Sequence, residues 1–388
     1  MRLSLVALLF LTVVCSCGDH TRPKTAATVV PVCNSPECLD SLKVSQGLMY
    51  HRLDSLFMRR HKAGFNGNVL ILKGNRVIYK ACFGYCNYKD KDTLTAQTPF
   101  QIASSSKPFT ASAILRLADE GKLNLTDTLG KFFPGFPYHH ITVAMLLSHR
   151  SGLANYLYFG DKLWKSKEYL TNDGLIDLFM KNPKIEGTSK AGTHFQYNNS
   201  NYALLASIVE RVTGQKFPEY MKATFFEPLG MKNTWIRDVT NDTSERKHAI
   251  SYNSQWQVQH EDPYDGIYGD KNVFSTVEDM MIWDHAFYEH TNLSAAMQEE
   301  AYTPRSLEHK GVRNYGYGWR LMKQPDGSSL IYHNGWWHGN NTVFYRYLPD
   351  TLAVIILSNR YNRGVYDIQP VFNILSARND TAAWKEEE

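Results

Sequence analysis

The spacing of apolar positions changes along this chain, and the changes divide it. Met49, Leu53, Leu56 and Phe57 recur at i, i+4, i+7 and i+8, which predicts an amphipathic helix. Asn68–Leu72 and Arg76–Ala81 are apolar runs on either side of Lys73-Gly74-Asn75, a β-hairpin pattern. From about residue 96 to 309 the pattern is mostly helices and loops, with helices predicted over Thr110–Glu120 and Tyr202–Thr213. Strand patterns return at Tyr317–Met322, Ser329–His333, Thr342–Tyr347 and Leu352–Leu357, before a last predicted helix over Val365–Ala377. Helix and hairpin at the start, strands and helix at the end, predict one sheet built from both chain ends. The main body is then 45–378, with a sheet part (45–95 and 310–378) and a helical part (96–309), followed by a polar tail over 379–388.

The first residues follow another pattern. Arg2 precedes an apolar stretch from Leu3 to Val14, shorter than the roughly 20 residues a membrane-spanning helix needs. It suits the core of an export signal over residues 1–16. Val14-Cys15-Ser16-Cys17 resembles a bacterial lipobox, which implies that Cys17 becomes the acylated first residue of the mature protein. A plain secretory signal is the alternative. Residues 17–44 are rich in Thr, Pro, Ser and Ala without a sustained period, and are expected to form a flexible tether. The protein is thus expected to be exported and lipid-anchored to an envelope membrane.

Composition narrows the function classes. Apolar residues make up 43 % and charged residues 21 % of 388, a globular balance that excludes wholesale disorder. A net charge of +4 without a basic run gives no electrostatic basis for nucleic acid as a partner. Cys33 and Cys38 flank a turn-rich loop and could close locally, whereas Cys82 and Cys86, four apart near a strand end, are too far apart to bridge. Neither pair has zinc-type spacing with histidine partners, so no metal and no cofactor are expected.

The candidate chemistry begins at Ser104-Ser105-Ser106-Lys107-Pro108, leading into an apolar helix. Ser104 and Lys107 are three apart and share a face at a helix start. A serine hydroxyl needs a base to become a nucleophile, and a lysine beside it can serve. The alternative is a helix-capping serine and a solvated lysine. A second match, Ser244–Lys247, lies in a polar stretch with no apolar helix after it. Farther on come a Y-x-N at Tyr197-Asn198-Asn199 and an H-x-G at His333-Asn334-Gly335.

In this order, and with Leu146-Leu147-Ser148-His149-Arg150-Ser151-Gly152-Leu153, Glu227-Pro228-Leu229-Gly230-Met231 and Gly269–Asp279 between them, the motifs resemble the serine β-lactamase and penicillin-binding superfamily. More narrowly, they are similar to its class C β-lactamase-related hydrolases, which include D,D-peptidases, D-aminopeptidases and esterases. The resemblance implies an α/β (α+β) fold of β-lactamase/transpeptidase type, with an antiparallel sheet flanked by helices. It implies that Ser104 is the acylated nucleophile, Lys107 its proton acceptor, and Tyr197 the shuttle to the leaving group. A phenol with a pKa of about 10 serves as a base near neutral pH only beside cations. Asn199 and Gly335 would bind substrate, and the backbone N–H groups of Ser104 and Trp336 would form an oxyanion hole. His149 is expected to hold backbone groups, and Trp336, Trp337 and His338 either line an acyl pocket or pack.

One position departs from the lactamase form K-T-G: His333 stands where lysine supplies a permanent cation. A histidine facing the cleft would be charged only in part near neutral pH. The expected substrate is therefore a small molecule or short peptide without an obligatory carboxylate, such as an ester, amide or D-amino-acid peptide. A β-lactamase or D,D-carboxypeptidase, and a non-catalytic binder of cell-wall fragments, are the alternatives.

Overall fold

A computed structural model of the chain describes residues 36–74, 76–185, 187–241, 246–308 and 311–376, with side chains from residue 47 to residue 375. The leader, Cys17, Cys33 and most of the segment read as a tether lie outside the described residues. The rest of that segment departs from the expectation. Helix α1 (Pro36–Lys62) starts inside it and is interrupted at Gly47, whose φ of 49° and ψ of −130° are not helical. Glycine is the residue that adopts such angles at least cost.

Seven antiparallel strands form the main sheet: β1 (Gly67–Lys73), β2 (Arg76–Phe83), β3 (Arg313–Tyr315), β4 (Arg320–Lys323), β5 (Ser329–Trp337), β6 (Asn340–Tyr347) and β7 (Leu352–Ser358). Their spatial order is β2-β1-β7-β6-β5-β4-β3, so the first hairpin joins the sheet through the last strand, Val69 opposite Ile356. The sheet is thus built from both chain ends, as the apolar runs predict. Alternation sends Val69, Ile71, Tyr332, Val343, Tyr345, Val354 and Ile356 to a core shared with Leu53 and Phe57 of α1 and Phe372 of a C-terminal helix (Gln369–Ser376). Leu70, Ile331, Phe344 and Ile355 on the opposite face are buried too. Covering both faces explains why β7 reads as an unbroken apolar run rather than an alternating one.

Between β2 and β3 the chain forms the helical part. Helix α2 (Lys107–Asp119) follows a 3-10 turn, Ala103–Ser106, and helix α3 (Asn199–Thr213) packs beside it. Asn198 caps α3 by accepting from the Ser200 N–H at 2.9 Å, and Gly214 ends it at φ 71°. This part also holds a three-stranded sheet that the periods do not reveal, in which Val273–Ser275 lies between Phe100–Gln101 and Trp235–Ile236. Two or three residues are too few to show a period. The predicted strand at Tyr317 begins only at Arg320, and the predicted last helix splits into a 3-10 turn, Arg363–Tyr366, and Gln369–Ser376.

Candidate active site

The short sheet matters because it ties the approach to Ser104 to the segment containing Asp270. Ile102 N–H donates to the Val273 carbonyl at 2.9 Å, and Val273 N–H donates to Ser106 Oγ at 3.1 Å. Ala103 between them has a φ of 50°, a left-handed conformation that costs a non-glycine residue about 1–2 kcal/mol. The turn that follows leaves Ser104 as the one residue from Gln101 to Thr110 that is not fully buried. Ser105 and Ser106 are both buried. Ser105 Oγ donates to the His333 carbonyl at 3.0 Å, and Ser106 Oγ is taken by Val273. Of the three serines, only Ser104 has a reachable hydroxyl.

Lys107 is fully buried one turn on, and its Nζ has three acceptors: Ser104 Oγ at 3.0 Å, Asn199 Oδ1 at 2.8 Å and the Asp270 carbonyl at 2.9 Å. The two carbonyl oxygens can only accept. When Lys107 is a neutral amine, its two remaining N–H groups are held there, and its lone pair faces the Ser104 hydroxyl. That is the arrangement of a nucleophile and its base. Tyr197 stands beside them, with Lys107 Nζ 4.8 Å and the Arg320 guanidinium carbon 5.1 Å from its ring centroid. Ser104, Lys107, Tyr197 and Asn199 therefore converge, although nearly a hundred residues separate the two pairs.

On the other side lies β5. Strand β4 pairs with it only as far as Arg320 opposite Tyr332, so the half from His333 to Trp337 is left to the turn carrying Ser104. Gly335 packs so closely that a Cβ there would lie 2.3 Å from the Ile102 carbonyl oxygen and 3.1 Å from Ser104 N. Only glycine fits. The backbones of Ser104 and of Gly335-Trp336 are thus adjacent, as two donors to one oxyanion must be.

Side-chain parity on β5 separates the two tryptophans. His333, Gly335 and Trp337 point toward Ser104, while Tyr332, Asn334 and Trp336 point to the opposite face. The Trp336 ring is 61 % exposed and lies 5.8 Å from the Tyr361 ring, so it is no wall of the cleft. Trp337 lies on the Ser104 side of the strand, with its Nε1–H donating to Asp265 Oδ1 at 2.7 Å and Lys271 Nζ over its ring at 4.8 Å. Asp265 also receives His338 at 2.9 Å, and with Asp262 these two form a cluster whose ligand-type atoms lie within 4.8 Å of one another. The hydrogen bonds that Asp265 accepts from Trp337, His338 and the Asp262 N–H account for that cluster as a brace of the β5–β6 turn.

His333 differs most from its expected place. It is fully buried, with Nδ1 at 2.8 Å from the Asn334 carbonyl and Nε2 at 3.2 Å from Tyr315 Oη. A carbonyl only accepts, so Nδ1 carries the proton and Nε2 accepts from the tyrosine. Burial, then the Arg320 and Lys107 cations, push its pKa well below the usual histidine value. His333 is a neutral structural group rather than a partial cation facing substrate. The permanent cation here is Arg320, a residue no motif pointed to, because a lone arginine on a four-residue strand has no sequence signature. Lys271, also unforeseen, is buried with its Nζ donating to Tyr156 Oη at 2.6 Å. Burial lowers its pKa. Cys82 and Cys86 are free thiols, and the second S-x-x-K match falls partly outside the described residues. Among the described residues, no helix is long and apolar enough to cross a membrane.

Comparison with known proteins agrees with this geometry. The Beta-lactamase family model matches residues 56–378. Penicillin-binding protein 4* of Bacillus subtilis is 32 % identical over 321 residues, covering 79 % of this chain and 70 % of that protein. Against several other curated relatives the chain spans only about three fifths of their length, 62 % and 58 % for two of them. The crystal structure of a penicillin-binding protein from Bacillus halodurans superposes with a TM-score of 0.71 at 27 % identity, covering 83 % of this chain and 97 % of that one. A D-amino acid amidase from Ochrobactrum anthropi shares the fold, with a TM-score of 0.69 at 22 % identity over 87 % of this chain and 98 % of the other. A family match over most of its length, together with a serine–lysine pair at hydrogen-bond distance, makes this chain a member of the Beta-lactamase family of serine hydrolases.

Proposed function

We propose that the protein cleaves an ester, amide or D-amino-acid peptide bond through an acyl-enzyme on Ser104. The observation that carries this reading is the cradle of Lys107, in which the Asn199 and Asp270 carbonyl oxygens take the two N–H groups of the neutral amine and leave its lone pair for Ser104, the one accessible serine of the three. In acylation, Ser104 Oγ bonds to the substrate carbonyl carbon while its proton passes to Lys107. The tetrahedral oxyanion lies between the Ser104 and Trp336 N–H groups. As it collapses, the bond to the leaving group breaks and Tyr197 delivers the proton to that group. Water then attacks the acyl carbon and gives a proton to Tyr197, and the bond from that carbon to Ser104 Oγ breaks as Lys107 returns its proton to the serine, releasing the carboxylic acid. The test is a panel of p-nitrophenyl esters, D-amino-acid anilides, a D-Ala-D-Ala peptide and a β-lactam, with intact-protein mass spectrometry. An acyl adduct on the Ser104-containing peptide and turnover of at least one class are expected. Binding without any adduct across the panel would favour the silent cell-wall-fragment binder instead.

A specific observation supports a second reading, a D,D-carboxypeptidase or β-lactamase. With His333 neutral, the argument against carboxylate-bearing substrates falls, and Arg320 beside Tyr197 supplies a cation in its place. At an effective dielectric near 20 such a cation favours a carboxylate by about 1 kcal/mol or more, roughly fivefold in kcat/KM. Arg320→Gln should lower kcat/KM for a substrate with a free carboxylate at least about that much relative to its methyl ester. An unchanged ratio would remove Arg320 from substrate selection.

The same reading places the hydrolase in the bacterial envelope, tethered by acyl chains on Cys17. The lipobox-like Val14-Cys15-Ser16-Cys17 after an apolar leader supports it. Cys17→Ser is expected to move the protein from the membrane pellet to the soluble exported fraction, since anchoring then rests on lipid alone. Continued sedimentation that resists salt extraction would contradict the anchor.

A further inference from the structure

His149 is buried and sits behind Tyr197, outside any step assigned above. Its backbone carbonyl accepts from the Gln196 N–H at 2.8 Å, and its Nδ1 accepts from the Asn198 N–H at 3.1 Å. One residue therefore grips the chain on both sides of Tyr197. Its ring centroid lies 4.5 Å from that of Tyr197, and also 5.0 Å and 4.8 Å from those of Tyr202 and Tyr315. To make both contacts His149 adopts φ 56°, a left-handed conformation uncommon for a residue with a Cβ. Nε2 is buried with no hydrogen-bond partner among the described residues. Because Nδ1 accepts a backbone N–H, the ring proton is on Nε2. Burial, then Lys107, His333 and Arg320, hold the imidazole neutral and so keep Nδ1 an acceptor.

A core histidine kept only for packing would not need strained backbone, two clamps on one short segment and an unpaired ring nitrogen. We infer that His149 is a positioning residue that fixes the Tyr197 phenol against Lys107 by holding the peptide groups on either side of it. The inference rests on the role given to Tyr197 above. It predicts which replacements work. Asparagine places an amide oxygen where Nδ1 stands and tolerates left-handed φ. Alanine removes the acceptor.

The experiment is a double-mutant cycle on the full chain, read as kcat and KM on a p-nitrophenyl ester, with thermal unfolding of each variant alongside. Tyr197→Phe is expected to lower kcat by about 10²-fold or more. His149→Ala should lower kcat by about 10- to 100-fold with little change in KM, as misplacement of a proton-transfer group does. His149→Asn should stay within about threefold of the wild type, and His149→Ala added to Tyr197→Phe should cost less than about threefold more. An equal cost of His149→Ala in both backgrounds would overturn the inference and leave the role of Tyr197 standing. So would an Asn variant as impaired as Ala. Unchanged kcat in Tyr197→Phe would overturn that role and this inference with it. If His149→Ala does not fold, His149→Gln, whose amide oxygen reaches the Nε2 rather than the Nδ1 position, takes its place under the same expectations.

Discussion

Replacing Ser104 by alanine is expected to abolish acylation and to lower kcat by about 10⁴-fold or more, the scale seen when the nucleophile of a serine hydrolase is removed. The fold should be indifferent, since Ser104 is the least buried residue of its turn and its hydroxyl meets only Lys107 among the hydrogen bonds described. Ser105→Ala and Ser106→Ala reverse the pattern. Each removes a buried bond that fastens the turn, to the His333 carbonyl or to Val273 N–H, and should cost about 1–3 kcal/mol of stability while labelling persists. A fluorophosphonate probe with intact-mass detection reads labelling, and urea unfolding reads stability. Label retained by Ser104→Ala and lost in Ser106→Ala would move the nucleophile and dismantle the site as described.

The second large effect is on stability. His333→Lys brings an ammonium group into a fully buried position that already faces Arg320 and Lys107 and offers no carboxylate among its described contacts. An uncompensated buried charge costs about 3–5 kcal/mol, so a large fall in the urea midpoint is expected rather than a gain in carboxylate binding. The sign of its pH dependence follows. Burial lowers the folded-state pKa of such a lysine below its unfolded value of about 10.4, so the unfolded chain binds more protons. Stability of the variant should therefore rise with pH, and its deficit should shrink between neutral and alkaline conditions. A midpoint equal to that of the wild type at pH 7, with improved turnover of carboxylate substrates, would mean that position 333 opens to the cleft after all.

These two residues show where local pattern suffices. Ser104 and Lys107 are legible because a spacing of three at a helix start fixes their relation whatever surrounds them. The hairpin Gly67–Phe83 and strand Leu352–Ser358 are legible for a similar reason, since long apolar runs carry their own period or its absence. The ordered motifs around Tyr197 and His333 carry the family without any geometry.

His333 shows the opposite. Its place in an H-x-G motif says that it lies near the nucleophile, but not which atoms it faces. A strand side chain next to a cleft can point into it or into the protein, and Tyr315, Arg320 and Tyr197 decide that from three separate segments. Trp336 and Trp337 differ by one residue and lie on opposite faces, a parity set only by the register of β5 against β6, with Gly335 opposite Thr342. Arg320 enters the site through a four-residue strand with no period or motif to read, and Asp270, although inside the Gly269–Asp279 motif, enters through its backbone carbonyl, which no residue type reveals.

The sequence by itself thus determined the family, the sheet from both chain ends and the serine–lysine–tyrosine set, because these rest on runs and motifs each legible within its own segment and on their order along the chain. Only the tertiary structure decided which groups carry charge in the cleft, on which face of β5 each tryptophan lies and how His149 grips the tyrosine's segment. Those depend on distances between segments as much as 228 residues apart, and on the burial that such packing creates.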